Sequence, residues 1–219
     1  MDLLVPVVVM AALAGAYVVG VSLSDPAIAV RFKARRKRSV SIANVRHGER
    51  VKVTGVVSAL DPMIRSPVGD EACIGFRLVA VGHYPDRNRN GSPGNRVGPA
   101  MYRAVCARFE ILDETGKARA EGPFTVALDL EGQWSLPIAP FETPRPLDAP
   151  ELSGASTFSY REGLLKPGDR VSVIGRAFID LPPADGSLAT GSPPQIVCLR
   201  GSADEPIVVV DASDNEARR

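Results

Sequence analysis

KPGDRVSVIGRAFI, residues 166–179, joins a chain-breaking pair to an alternating run of apolar and polar residues. Pro167-Gly168 ends whatever precedes it, because proline removes a backbone donor and glycine tolerates conformations other residues avoid. Beyond that pair the residues alternate between apolar and polar, which is the period of a half-buried strand. Gly175 sits in the middle of that strand. The same pattern recurs in VKVTGVVSAL (51–60), where Val51, Val53 and Val56 take the apolar positions and Gly55 suggests a bulge or tight bend.

Outward from these two stretches the chain reads as strands and turns. VSIANV (40–45), CIGFRLVAV (73–81), MYRAVCARFEIL (101–112), FTVALDL (124–130), QIVCLR (195–200) and PIVVVD (206–211) are further strand candidates. The 101–112 run is long enough to curl around a barrel, and DETG (113–116) closes it with a turn signal. About eight short strands with turn chemistry between them predict a mainly β fold, an OB-like small barrel or a sandwich. One segment departs from the pattern. TFSYREGLLKPGD (157–169) reads as a short helix stopped by its Pro-Gly pair. Three connections are long: 83–99, 131–154 and 180–194. Connections of that length are functional or mobile.

Location is set by the first residues. Leu3 to Leu23 carries no charge. As a helix this run would span roughly 30 Å, the thickness of a bilayer's hydrocarbon core. A cleaved signal peptide is the competing reading, but it normally begins with a basic region, and only Met1 and Asp2 precede this run. The expectation is a single transmembrane anchor over 1–24. A basic juxtamembrane linker (25–39), a β domain (40–211) and a disordered tail (212–219) complete the chain. RFKARRKR (31–38) holds six basic residues in eight: Arg31, Lys33, Arg35, Arg36, Lys37 and Arg38. The positive-inside rule puts this block, and so the β domain, on the cytoplasmic side with the N-terminus outside. The block either flanks the anchor or also touches lipid headgroups. Ala12, Ala16 and Gly20 recur at a spacing that permits helix pairing, so a homodimer through the anchor is a further expectation.

Composition limits the chemistry. Apolar residues make up 45% of the 219-residue chain and aromatics 5%, so the core must rest on Val, Leu, Ile and Ala. A net charge of +1 argues against a protein that coats nucleic acid. The loop with Arg87, Arg89 and Arg96 is a candidate partner-binding element, yet only Tyr84 and Tyr102 flank it as stacking platforms. Three distant cysteines, Cys73, Cys106 and Cys198, form no CxxC pair and fit a reducing compartment. Cys73 comes after Asp70 and Glu71, acidic neighbours that would hold a thiol protonated, so it reads as a buried residue at a chain corner. His47 and His83 have no partner at ligand spacing. No nucleophile elbow, Walker loop, zinc-protease helix or dinucleotide fingerprint occurs, and no cofactor or metal is expected.

The corner itself, RSPVGDEACIGF (65–76), places Pro67 and Gly69 as in a type I turn, with Cys73 opening the next strand. Four elements come in sequence: Gly55-Val56-Val57; Ser66-Pro67 with Cys73 and Phe76; Phe109 with Asp113 and Gly116; and Glu162, Leu165, Pro167, Gly168, Asp169, Val171, Val173 and Gly175. In that order they resemble the GIDE, or beside-a-membrane, domain of MULAN-type mitochondrial ubiquitin ligases and of many bacterial membrane proteins. The resemblance covers roughly residues 40–211 and implies a membrane-adjacent β domain in which these residues are structural. It does not carry over ligase activity, which in those proteins resides in a RING with a Cys/His zinc cluster that this sequence lacks. The family's usual second membrane span is also missing, since Val208–Val210 is far too short. The sequence therefore points to a membrane-anchored, non-catalytic scaffold or interaction module that binds a membrane or cytoplasmic protein. The alternative is a membrane-tethered enzyme or a metal or haem carrier using Cys73 or His83.

Overall fold

The computed structural model describes residues 25–87, 93–130, 134–135, 150–180 and 196–212. The expected anchor, Arg89 and most of the second and third long connections lie outside them. In chain order the elements are helix α1 (Pro26–Arg36) and strands β1 (Arg50–Ala59), β2 (Ile64–Arg65), β3 (Ala72–Cys73), β4 (Gly75–Arg87), β5 (Pro93–Cys106) and β6 (Phe109–Asp113). The later strands are β7 (Gly116–Glu121), β8 (Phe124–Val126), β9 (Thr157–Leu165), β10 (Arg170–Asp180), β11 (Ile196–Arg200) and β12 (Ile207–Asp211).

Five of these strands close a barrel. β1 pairs antiparallel with β6, β6 with β7, β7 runs parallel to β11, β11 is antiparallel to β10, and β10 returns to β1. That closure fits the expected OB-like barrel. Alternation fills it. Val51, Val53 and Val57 of β1 meet Phe109, Ile111, Ala118, Ala120, Val171, Val173 and Leu199 in one buried core. The parity runs unbroken through Gly55, so no bulge is present. β1 pairs residue for residue with β10 across it. Val57, not Val56, is the inward residue, and Val56 is exposed. Gly55 is required by closeness instead, because a Cβ there would lie 2.1 Å from the Leu112 carbonyl oxygen.

A second layer forms from the barrel's connections. β4 lies between β5 and β9, antiparallel to both. One face of β4 buries Phe76, Leu78 and Ala80 with Val68, Cys73, Met101, Leu152 and Phe158. The third cluster belongs to α1. Its Ala27, Val30 and Ala34 pack on Ile174, Val208 and Val210, the outward residues of β10 and β12.

Several expectations are corrected. Residues 157–165 are strand, not helix: nine consecutive residues of β9 pair with β4, which supplies a full ladder a short helix could not. The basic segment is no linker, since most of it is α1. Residues 40–45 touch β1 only at Val40, whose N–H donates to the Lys52 carbonyl at 2.8 Å, and then form one 3-10 turn at Ile42–Asn44, where the Asp113 carboxylate accepts the Ile42 N–H at 2.8 Å. The run 101–112 is two strands in two sheets. It breaks at Ala107, whose N–H leaves the ladder for the Ile74 carbonyl at 2.9 Å. FTVALDL is strand only to Val126, and the 83–99 connection is largely a hairpin between β4 and β5.

Replacing Gly55 by alanine should cost at least about 2 kcal/mol in denaturant unfolding, because an extra methyl has no room. Gly116→Ala, whose Cβ would meet nothing nearer than Ile42 Cγ2 at 3.6 Å, should stay within about 0.5 kcal/mol of the parent protein.

Candidate functional site

Asp25 is the first described residue, and Pro26 comes next at the first helical position, a combination that starts helices. One Asp25 oxygen accepts the Ala27 N–H at 2.9 Å. The other pairs with the Arg77 guanidinium. Both side chains are buried. Arg77 projects from the opposite face of β4 to Phe76 and Leu78, and its second amino group donates to the Leu128 carbonyl at 2.8 Å. More charges gather around this pair. Arg31 pairs with Asp129 and lies 3.9 Å from Asp25. Asp211 accepts the Asp129 N–H. Arg161 of β9 donates to the Leu130 carbonyl. Guanidiniums of Arg31, Arg77 and Arg161 thus gather near the carboxylates of Asp25, Asp129 and Asp211, with Arg35 acting on Arg31 and Asp211 from the next turn of α1. Burial is the main reason the Arg31 guanidinium is held below its usual range, with Arg77 adding repulsion. Burial likewise pushes the Asp211 carboxyl upward. A cavity of about 140 Å³ lined by Tyr102, Trp134, Arg31 and Arg161 adjoins this junction. Nε of Arg31 and of Arg161 is buried there without a hydrogen-bond partner among the described residues.

The Ser-Pro corner is a second assembly. Ser66, Pro67 and Val68 are buried. The Ser66 N–H donates to the Glu71 carbonyl at 2.9 Å, and the Ser66 hydroxyl accepts the Glu71 N–H at 3.3 Å. Glu162 reaches over from β9, accepts the Gly69 N–H at 3.4 Å and hydrogen-bonds Ser66. Its other oxygen is buried without a partner among the described residues, and burial raises its pKa above the ordinary value. The remaining motif residues have comparable positions. The Asp113 carboxylate accepts the Thr115 and Gly116 N–H groups at 2.7 and 3.0 Å and so closes the β6–β7 turn. Gly168, after Pro167, has a φ of 95°, in the region glycine favours. Asp169 accepts the Lys166 N–H at 2.6 Å. Gly175 lets Leu199 and Ile207 pack within 3.4 Å of where its Cβ would be.

The candidates for chemistry lie apart. Cys73 is fully buried, and burial first, then Glu162, pushes its thiol up to about 11. Cys106, the last residue of β5, is pushed up to about 12 and Cys198 to about 11, in both cases mainly by burial. High thiol pKa values leave little thiolate at neutral pH. His83 lies within β4, not at a strand end. Its Nε2 is 3.0 Å from the Ser159 hydroxyl, and burial lowers its pKa. The stretch of β4 from Gly75, beside Cys73, to His83 spans about 26 Å at strand rise. The structure therefore does not bring these two side chains together. Among the described residues no group of three His, Cys, Asp or Glu side chains is placed to hold a metal ion.

The proposed contact residues divide. Arg96 is exposed on β5, 5.6 Å above the Tyr84 ring, and Arg87 ends β4 opposite Pro93. Of the basic block, Lys33, Arg35, Arg36 and Arg38 are exposed. Arg31 turns into the ionic junction, and Lys37 Nζ donates to the Arg50 carbonyl. Two features are absent from the sequence-based expectations. Phe32 and Ile28 are 59% and 41% exposed on α1, and a groove of about 530 Å³ runs between the corner and β5, lined by Met63, Ile64, Pro67, Phe76, Arg103 and Val105. The Asp25-Pro26 start signal could have revealed α1. Nothing local marks the groove, which is made by strands distant in sequence.

No protein-family model matches this chain, and no characterised protein matches it significantly.

Two outcomes test these assemblies. Asp25→Ala leaves a buried guanidinium without its carboxylate and should cost about 3–5 kcal/mol in urea unfolding. Asp25→Leu combined with Arg77→Met should recover most of that loss. For Glu162 the folded pKa lies above its ordinary 4.5. Its contribution is therefore fully present below that value and is lost as pH rises through the folded pKa. Glu162→Gln should gain stability relative to the parent protein between pH 4 and pH 8, and a pH-independent difference would contradict this assignment.

Proposed function

We propose that this chain is a membrane-anchored, non-catalytic interaction module that holds an OB-like barrel of the GIDE type at the cytoplasmic face of a membrane. The observation that carries this reading is the burial of Asp25. The uncharged run Leu3–Leu23 ends two residues before a side chain locked into the body of the domain by Arg77. An anchor joined so closely leaves the barrel no slack and keeps it beside the bilayer. The GIDE-type reading rests on the four ordered motifs. Two of them, the Ser-Pro corner and the Glu162 segment, meet through the Ser66–Glu162 contact. The 83–99 connection with Arg87, Arg89 and Arg96 and the proline-rich 131–154 segment are the stretches of chain offered to a membrane or cytoplasmic protein. Ala12, Ala16 and Gly20 offer a route to a homodimer.

The non-catalytic reading is supported by the three raised thiols and by the separation of Cys73 from His83. Membranes containing the full chain should keep it through a carbonate wash, and gentle solubilisation should bring a specific protein with it. Release by carbonate would remove the anchor from the proposal. A stoichiometric metal or haem in the purified protein would replace the scaffold reading with that of a carrier.

A further inference from the structure

We infer that the outward face of α1 lies in the headgroup layer of an anionic bilayer, with Ile28 and Phe32 entering it and Lys33, Arg35 and Arg36 holding lipid phosphates. This rests on the anchored reading above and specifies how the domain sits. At about 100° per residue, Arg35, Ile28, Phe32, Arg36 and Lys33 fall in that order across one side of the helix. All five are exposed. Ala27, Val30 and Ala34 occupy the opposite side, against β10 and β12. The face thus has an apolar centre and basic flanks, the arrangement of helices that lie in a membrane interface. Phe32 is 59% exposed and its ring lies 4.3 Å below the Arg36 guanidinium.

Position and charge both select lipid over other occupants. Ile28 comes five residues after the end of the uncharged run, and Asp25 fixes the helix to β4 of the three-stranded sheet in between. The face must therefore travel with the point of membrane entry. A second copy of the same face would bring two basic-rimmed surfaces together, at a cost in repulsion. An anionic leaflet offers the complementary charge, worth about 1 kcal/mol per basic residue near the surface. Arg31 and Lys37 are engaged within the fold by Asp129 and by the Arg50 carbonyl, which leaves Lys33, Arg35 and Arg36 for that contact.

The test uses the full chain with benzoylphenylalanine in place of Phe32, reconstituted into vesicles of phosphatidylcholine with or without phosphatidylserine and illuminated. Lipid adducts at position 32 are expected, with severalfold higher yield when phosphatidylserine is present. Lys33→Glu, Arg35→Glu and Arg36→Glu together should remove that increase. Adducts to a second copy or to another protein, or no adduct above that of an exposed control position on β5, would overturn the inference. Carbonate extraction of the same vesicles reads the anchor separately. Retention without lipid adducts sinks the face alone, whereas adducts with release sink the anchor and leave the face standing.

Discussion

The Asp25–Arg77 pair is the contact on which the arrangement of this molecule depends. It joins three separate pieces: the start of α1, the three-stranded sheet through β4, and the segment after β8 through the Leu128 carbonyl. A buried ion pair is a weak source of net stability, because both groups lose water to make it. Its value lies in geometry. Asp25 caps a helix with one oxygen and holds a guanidinium with the other, so the helix cannot rotate without leaving a charge uncompensated. Arg31, Asp129 and Asp211 extend the lock to β12. Opposite charges meet at each of these points, and the junction acts as a clasp.

The barrel explains why a second sheet exists at all. Two of its connections are long. The one between β1 and β6 contains β2 to β5, and the one between β7 and β10 contains β8 and β9. Each supplies strands that cannot complete a ladder alone. Joined, they give β4 a partner on either side and bury Phe76, Leu78 and Phe158 between them. The Ser66–Glu162 contact lies at the meeting of those two connections. A half-buried carboxylate with one buried oxygen lacking a partner among the described residues is a poor choice for stability. Yet it accepts from the backbone of one insertion while belonging to the other. The polar and glycine residues of the motifs thus close turns, cap a corner or permit a close approach, while Phe76, Phe109, Val171 and Val173 fill the cores.

Strand alternation is legible wherever a strand has one face in the barrel, as with Val51, Val53, Val171 and Val173. Local patterns mislead where a distant partner decides the state. Residues 157–165 have no intrinsic reason to refuse a helix, and β4 settles the matter. The split at Ala107 is invisible in an unbroken apolar run because it reflects a change of sheet, not of propensity. Gly55 stands out in the sequence as a bulge signal, but its cause is crowding from the neighbouring strand, which leaves no sign there. The Pro167-Gly168 break, being local, is legible as a stop, although what it ends is a strand and not a helix; the Ser-Pro bend is legible too, but the donation of its Gly69 N–H to distant Glu162 is not. The ionic junction is not, since Asp25, Arg77 and Asp211 come from three separate parts of the chain.

The basic block shows how one short stretch acquires two roles through helical geometry. Taken as a string, its six cations are equivalent and suggest a flexible, uniformly charged flank. Coiled into α1 and the turn after it, they separate by direction. Arg31 and Lys37 point toward the barrel, where a carboxylate and a carbonyl await them. Lys33, Arg35 and Arg36 point away, beside Phe32 and Ile28, and Arg38 is exposed just past the helix. A flexible linker would leave all six to average over every direction, and the barrel could then face a bilayer with any side. Fixing the helix to the domain, to β4 through Asp25 and to β10 and β12 through Ala27 and Ala34, instead makes one orientation follow from the fold itself. For a module whose proposed task is to present a surface, that orientation decides which strands and hairpins a partner can reach.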